Sequence, residues 1–188
     1  LYVGKLPFAS SLVQQLAWAQ ALKKTRHPVL KRVFVQYPEQ VDDPRWLELG
    51  ALLQRQHLEL TEHQLDFAAV AEQGQKLEGF SDTDRWRALA EIQRTYLDVL
   101  HELQLWDRQT ARNFAVEHGE CRFDGHLTLL GTVDLSQTLR AMIGQLRCEV
   151  TALVVSEASE GRYFDDIGCV DPDNWQTRLL GVEDHQIL

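Results

Sequence analysis

Four arginines are spaced so that they form two pairs, each suited to binding a phosphate backbone. Arg87 and Arg94 are seven residues apart and Arg108 and Arg112 are four apart, so each pair shares one face of a helix. Guanidinium groups bind phosphate through paired hydrogen bonds, which makes these arginines the candidate DNA contacts. Acidic residues are interleaved with them, so an ordinary solvated helix face is the alternative interpretation. These acids are Asp84, Glu91 and Asp98.

Motifs for nucleotide binding and for nucleophilic catalysis are absent from the sequence. Gly4 and Lys5 are followed by Leu6, with neither the preceding glycine nor the following hydroxyl that a phosphate-binding loop needs. Ser156 and Ser159 follow an apolar segment, but no Gly-x-Ser-x-Gly turn surrounds either. We therefore assign no catalytic residue and no cofactor.

Two clusters of metal-binding residue types have spacing that does not favour a metal site. The first mixes residue types in irregular order, whereas zinc sites use close pairs at fixed offsets. The second lacks the glycine and glutamate of a calcium-binding EF-hand loop and is typical of a turn-rich loop around Pro172. We predict no metal at either. The clusters are His118, Cys121, Asp124 and His126, and Asp165, Asp166, Asp171 and Asp173.

Composition places the chain among globular proteins. It has 188 residues, 44% of them hydrophobic and 25% charged, and a net charge of −9, which disfavours strong autonomous DNA binding. Three widely spaced cysteines are not a disulfide framework, and no apolar run is long enough for a membrane helix. Because the chain begins at Leu1 and its single methionine is Met142, we expect an internal piece of a larger cytoplasmic protein.

The hydrophobic pattern predicts an α/β fold with a parallel sheet. Residues 127–130 and 150–155 are apolar runs of strand length, and Ser136 caps a helix between them that extends to about residue 146. This order predicts a parallel pair buried on both faces, with loops 131–135 and 156–173 at the carboxyl ends of the strands. Residues 29–35, β-branched and followed by Pro38, predict a further strand of this sheet.

Helices are predicted for most of the chain before residue 119. The clearest begins near Asp82, and with a second helix capped by Asp107 it forms a helical hairpin to about residue 118. Its apolar seam steps by three and four residues. We therefore divide the chain into an incomplete first part of the α/β core (1–43), a helical insertion (44–118) and the last part of the core (119–188). The seam comprises Leu89, Ile92, Tyr96, Val99 and Leu103.

An ordered series of motifs runs from residue 88 to residue 175. A helix bearing Tyr96 is followed by Trp106-Asp107 and a second helix, and then by Leu129-Leu-Gly-Thr-Val-Asp-Leu-Ser136. After the next predicted strand comes Phe164-Asp-Asp-Ile-Gly168, with Trp175 beyond it. This order resembles the inactivated helicase-like region of RecB-family exonucleases, the AddB-type subunit of ATP-dependent nucleases.

The resemblance implies a parallel-sheet, three-layer P-loop-NTPase or helicase-like core with an inserted helical subdomain. In active relatives the strand corresponding to residues 127–130 ends in an Asp-Glu pair that handles magnesium and water. Gly131 and Thr132 occupy those positions here, and Asp134 alone does not restore the pair. The PD-(D/E)xK nuclease site of the family would lie beyond Leu188.

The expected function is that of a non-motor, helicase-like scaffold domain in a RecB-family exonuclease that acts in DNA repair or recombination. This part would be non-catalytic, and its partners would be the rest of its own polypeptide, DNA and a helicase–nuclease partner subunit, without a membrane. The alternative is a protein-interaction domain with no nucleic-acid role, which would bind a partner helix along the seam.

Overall fold

The computed structural model describes residues 1–2 and 4–177. It is an α/β structure with about 55% helix and a small two-stranded parallel sheet. The chain divides into two compact units. Unit 1 comprises Leu1–Arg122 and Ser136–Gln145, and unit 2 comprises Phe123–Leu135 and Leu146–Leu188. None of the helices in the described part of the chain is both long and apolar enough to cross a membrane.

Unit 1 begins with three helices that have recognisable start signals. Helix α1 (Ser11–Lys24) is capped by Ser10, whose hydroxyl accepts a hydrogen bond from a backbone amide of the first turn. Helix α2 (His27–Val33) has proline in its first turn, as does α3 (Asp43–Glu62), which is capped by Asp42. These residue types account for where α1 and α3 begin.

The rest of unit 1 is also helical. Helices α4 (Phe67–Gly74), α5 (Thr83–Glu102) and α6 (Arg108–Glu117) follow one another. Helix α7 (Gln137–Gly144) also belongs to unit 1, although the residues between α6 and α7 include a segment of unit 2. Helices α5 and α6 follow one another as predicted, but the predicted hairpin is wrong: α6 packs against α3 and α7, whereas α5 packs against α1, α2 and α4. Asp107 caps α6 as predicted, with Oδ1 accepting a 2.7 Å hydrogen bond from the Thr110 amide.

The core of unit 1 forms where α1 lies between α3 and α5, with α2 and α4 against α5. Trp18 of α1 is fully buried, and its indole stacks on the Tyr96 ring with ring centroids 4.1 Å apart. The predicted seam is part of this core, except for its last residue. It is therefore not a free surface for a partner helix. The buried members are Leu89, Ile92, Tyr96 and Val99, and Leu103 is exposed.

Helices α1 and α3 approach each other closely at Gly50. A Cβ added there would lie 2.9 Å from the Ala19 nitrogen and 2.9 Å from the Gln15 carbonyl oxygen, both backbone atoms of α1. We expect Gly50→Ala to lower the free energy of unfolding by about 2 kcal/mol, because the helices must separate. Gly144→Ala is the matched control, since nothing lies within 4 Å of its added Cβ. Urea denaturation of both variants is the measurement, and an equal effect at the two sites would contradict the close approach.

Unit 2 contains the predicted parallel strand pair. Strands β1 (His126–Leu130) and β2 (Glu149–Leu153) pair in parallel, with Leu127 opposite Val150 and Leu129 opposite Ala152. The chain between them includes α7, so the predicted strand–helix–strand order and the parallel pairing are both confirmed. A short 3-10 helix and a final helix, α8, follow β2. These are Ala158–Tyr163 and Pro172–Trp175.

The predicted strand at residues 29–35 is wrong. That segment lies largely in α2, where Val29, Leu30 and Val33 are buried on one face next to α5. Pro28 occupies the first turn, a position that favours starting a helix. The i, i+1, i+4 spacing of the three apolar side chains also fits a helix, so tertiary packing overrides the β propensity of valine.

The prediction that both strands are buried on both faces is also wrong in the described part of the chain. Side chains along β1 alternate between exposed and half-buried, and Leu130 is 72% exposed. Leu153 at the end of β2 is 50% exposed, and Val155 lies beyond that strand. The sheet has two strands in this part of the chain, and two strands cannot provide the covered faces of a larger parallel sheet.

Candidate functional site

Four polar side chains form a buried network in unit 1, which we call the polar network. His57 comes from α3, Gln93 and Tyr96 from α5, and Asp107 from the cap of α6. All four residues are buried. The three helical members face inward because they occupy positions on the buried face of their helices: His57 follows Trp46, Gly50 and Leu53 at helical spacing, and Gln93 and Tyr96 follow the buried Leu89 and Ile92.

Hydrogen bonds link the network into a chain with defined directions. The Phe67 amide donates to Gln93 Oε1 at 3.3 Å, so the Gln93 amide nitrogen donates to His57 Nδ1 at 2.9 Å. His57 Nδ1 is then the acceptor, and its Nε2–H donates to Asp107 Oδ1 at 3.2 Å. The Tyr96 hydroxyl donates to Asp107 Oδ2 at 2.9 Å.

Burial and hydrogen bonding have opposite effects on the pKa of Asp107 in this network. Burial alone would raise the pKa of Asp107, but hydrogen bonds from His57, Thr110 and Tyr96, with the charge of His57 when protonated, lower this pKa to about 2. Its ordinary value is 3.8, so the carboxylate stabilises the fold above pH 4 and this contribution is lost as the pH falls toward 2. Burial and the adjacent Asp107 raise the pKa of Tyr96, which stays protonated.

The polar network is structural rather than catalytic. Its histidine, carboxylate and hydroxyl resemble catalytic groups, but they are hydrogen-bonded to one another, to Gln93 and to the Thr110 amide, and His57 and Asp107 are each 2% exposed. A substrate cannot reach these atoms. What the network does is hold the start of α6 against α3 and α5, which fixes where the first turns of α6 project.

Arg108 and Arg112 project from those turns into one cavity, which we call the arginine cavity. Its volume is about 260 Å³. The Arg108 guanidinium lies 5.8 Å from the Phe8 ring centre, and Phe8 is held in place because Ala9 donates to the Trp106 carbonyl at 2.9 Å. The structure thus brings this predicted pair together in a concave site. The other lining residues include Tyr2, Leu139 and Met142.

The second predicted pair lies elsewhere, on α5. Arg87 and Arg94 line a different cavity of about 330 Å³ together with Glu72 and Glu91. Arg87 also pairs with Asp84 at 3.4 Å. The two arginine pairs therefore do not form one continuous cavity, and the carboxylates beside the α5 pair make it the poorer phosphate site.

In unit 2, the two predicted loops at the carboxyl ends of the strands meet. Val170 donates a 2.9 Å hydrogen bond to the Val133 carbonyl, which links loop 131–135 to loop 156–173. Gly131 turns the chain after β1 with φ of +62°, a conformation that favours glycine. The Asp165 carboxylate accepts bonds from the Ile167 and Cys169 amides, so it closes a turn.

The first predicted metal-type cluster is divided by the fold. His118 and Cys121 belong to unit 1, where the His118 ring stacks on Phe114, whereas Asp124 and His126 belong to unit 2. Residues of the acidic loop act in backbone turns, with Asp171 capping α8. Within residues 1–2 and 4–177, no three or more histidine, cysteine or acidic side chains converge as a metal site would require.

His57 and Gln93 were not predicted as site residues, although the sequence contains a signal for both. Both are polar residues at apolar-face positions of long amphipathic helices, a placement that requires a buried hydrogen-bond partner. Tyr96 and Asp107 were identified only as a seam residue and a helix cap.

Comparison of the chain with protein-family models, with curated proteins and with solved structures gives no match.

Proposed function

We propose that the chain is a helicase-like scaffold domain without motor activity, part of a RecB-family exonuclease that acts in DNA repair or recombination in the cytoplasm. Its parallel pair would belong to a three-layer, P-loop-NTPase-like core, with helices inserted between parts of that core. The nuclease chemistry would lie outside this chain, and the domain would position a DNA strand and other parts of the enzyme.

The observation that carries the proposal is the turn that follows β1. A parallel strand–helix–strand unit places the end of β1 where a motor domain needs two carboxylates for magnesium and water. The chain has Gly131 and Thr132 there, and the nearby Asp134 is exposed and single. Asp165 on the facing loop is engaged by backbone amides. This arrangement suits a domain that keeps the strand order of a helicase without its chemistry.

The exposed apolar ends of the strands fit the same proposal. Leu130 and Leu153 are side chains of a kind that a parallel sheet normally covers. In the proposed enzyme, further strands and helices from the rest of the polypeptide would cover them, and a helicase–nuclease partner subunit would dock on the assembled protein.

The protein-interaction alternative depended on a free seam along α5. Four of the five seam residues are buried within unit 1, so this surface is occupied by the chain itself. We therefore retain the scaffold function as the proposal.

Binding to single-stranded DNA tests the proposed function. The net charge of −9 opposes binding, and the clustered arginines allow it, so we expect a micromolar dissociation constant, in the range of non-specific contacts. Fluorescence anisotropy with a labelled oligothymidine at physiological salt is the measurement. Nanomolar affinity would identify an autonomous DNA-binding protein instead. If no binding is detected even at low salt, the DNA-guiding role is wrong.

A further inference from the structure

The arginine cavity combines two positive charges with no carboxylate in contact. Arg108 and Arg112 lie one turn apart on α6, and neither forms an ion pair within 4 Å among the described residues. Arg112 donates a 2.9 Å hydrogen bond to the neutral Gln109 side chain, and Arg108 lies over the Phe8 ring. Glu62 is the carboxylate whose field reaches Arg112.

This arrangement costs free energy when the cavity holds no anion. Partial burial lowers the pKa of Arg112 and the adjacent Arg108 lowers it further, while Glu62 acts in the opposite direction. Like charges one turn apart also destabilise a helix. Arg26 pairs with Glu91 at 3.0 Å, and Arg45 and Arg87 pair with nearby aspartates, whereas Arg108 and Arg112 share a concave site without such a partner among the described residues. An unneutralised pair in a concave site is typical of an anion-binding site.

We propose that the arginine cavity binds a phosphate group and, resting on the proposed function, that this phosphate belongs to a single strand of DNA. Two guanidinium groups one turn apart present several N–H donors toward one tetrahedral anion. Phe8 beside Arg108 supplies an aromatic surface of the kind on which an unpaired base stacks. The cavity, of about 260 Å³, holds a phosphate group with room for part of the attached sugar.

The polar network has a definite role in this proposal. Asp107 is both the centre of the network and the cap of α6, so the same hydrogen bonds that hold the helix start also set the position of Arg108. The backbone hydrogen bond between Ala9 and Trp106 places the Phe8 ring next to the Arg108 guanidinium. Arg108 and Arg112 therefore stand on a helix whose start is held by buried hydrogen bonds, and a backbone hydrogen bond joins the irregular segment that carries Phe8 to the residue before Asp107.

The first arm of the test compares two double variants that remove the same charge. We expect Arg108→Gln with Arg112→Gln to weaken oligothymidine binding about ten-fold. The slope of log affinity against log salt should become shallower by about 0.7 for each phosphate that the variant no longer binds. Arg87→Gln with Arg94→Gln should change affinity less than about two-fold, because carboxylates already face that pair.

Circular dichroism checks that the variants fold. If the α6 double variant does not fold, the single Arg108→Gln variant replaces it, because the Arg108 side chain is exposed. We expect that variant to weaken binding by about three-fold.

The second arm uses inorganic pyrophosphate and the arginine Nε–Hε signals in nuclear magnetic resonance spectra. We expect the Arg108 and Arg112 signals to shift on titration and those of the α5 pair to stay. If pyrophosphate shifts these signals but the protein does not bind DNA, the phosphate site stands and the proposed function fails. If DNA binds and both double variants weaken it equally, or if pyrophosphate shifts none of the α6 signals, the arginine-cavity inference is wrong.

Discussion

Replacing Asp107 with alanine is expected to lower the free energy of unfolding by about 4 kcal/mol. The substitution leaves three donors without an acceptor: His57 Nε2–H, the Tyr96 hydroxyl and the Thr110 amide. Each buried, unsatisfied donor costs about 1–3 kcal/mol, and losing a helix cap costs about 1 kcal/mol. These costs overlap because the groups share one carboxylate, so their sum is an upper bound. Urea denaturation followed by tryptophan fluorescence is the measurement.

Two further variants separate the cap from the buried network. Asp66 caps α4 with a 2.7 Å bond to the Ala69 amide but is exposed, so Asp66→Ala should cost only about 1 kcal/mol. Asp107→Asn keeps an oxygen acceptor for Thr110 and should cost about 2 kcal/mol. If Asp107→Ala is no more harmful than Asp66→Ala, the network does not contribute and Asp107 acts as a cap alone.

Trp18→Ala is the second large effect, with an expected loss of about 4 kcal/mol in the free energy of unfolding. The indole is fully buried and stacks on Tyr96 with an interplanar angle of 7°, while Phe67 and His57 lie against its other sides. Truncating a buried tryptophan to alanine removes this packing and leaves a cavity between α1, α3 and α5. Calorimetric or urea unfolding measures the loss.

Trp18→Phe provides the control for this prediction. Phenylalanine keeps an aromatic ring for the stack on Tyr96, and it removes the indole N–H, which is buried and has no hydrogen-bond partner in the described part of the chain. The smaller ring leaves some space, so we expect a loss of about 1 kcal/mol. Equal losses for phenylalanine and alanine would contradict the stacking and cavity argument.

Local signals in the sequence were sufficient for much of the fold. Capping residues and 3.6-residue periodicity predicted α5 and α6, and apolar runs on either side of Ser136 predicted the parallel pair. Residues 29–35 were misassigned because valine favours strands, whereas contacts with α5, which are distant in sequence, determine the helix. Burial of β1 and β2 depends on what lies against them, and the local pattern contains no such information.

The candidate site was predictable only in part. Helical spacing paired Arg108 with Arg112, but the same rule paired Arg87 with Arg94, and nothing local distinguished the pair beside an aromatic ring from the pair beside carboxylates. Phe8 lies beside Arg108 because the backbone amide of Ala9 donates a hydrogen bond to the carbonyl of Trp106, and these two residues are almost a hundred positions apart in the sequence. The hydrogen bonds of His57 likewise depend on residues that are distant in sequence, namely Gln93 of α5 and Asp107 at the cap of α6.

Phosphate release from magnesium ATP, with and without single-stranded DNA, tests the absence of a motor most directly. We predict no magnesium-dependent turnover, because Gly131 and Thr132 follow β1 where two carboxylates would be needed and Asp134 stands alone. Turnover that DNA stimulates, and that is lost in the Asp134→Ala variant, would contradict the account by showing that the turn after β1 supports nucleotide hydrolysis.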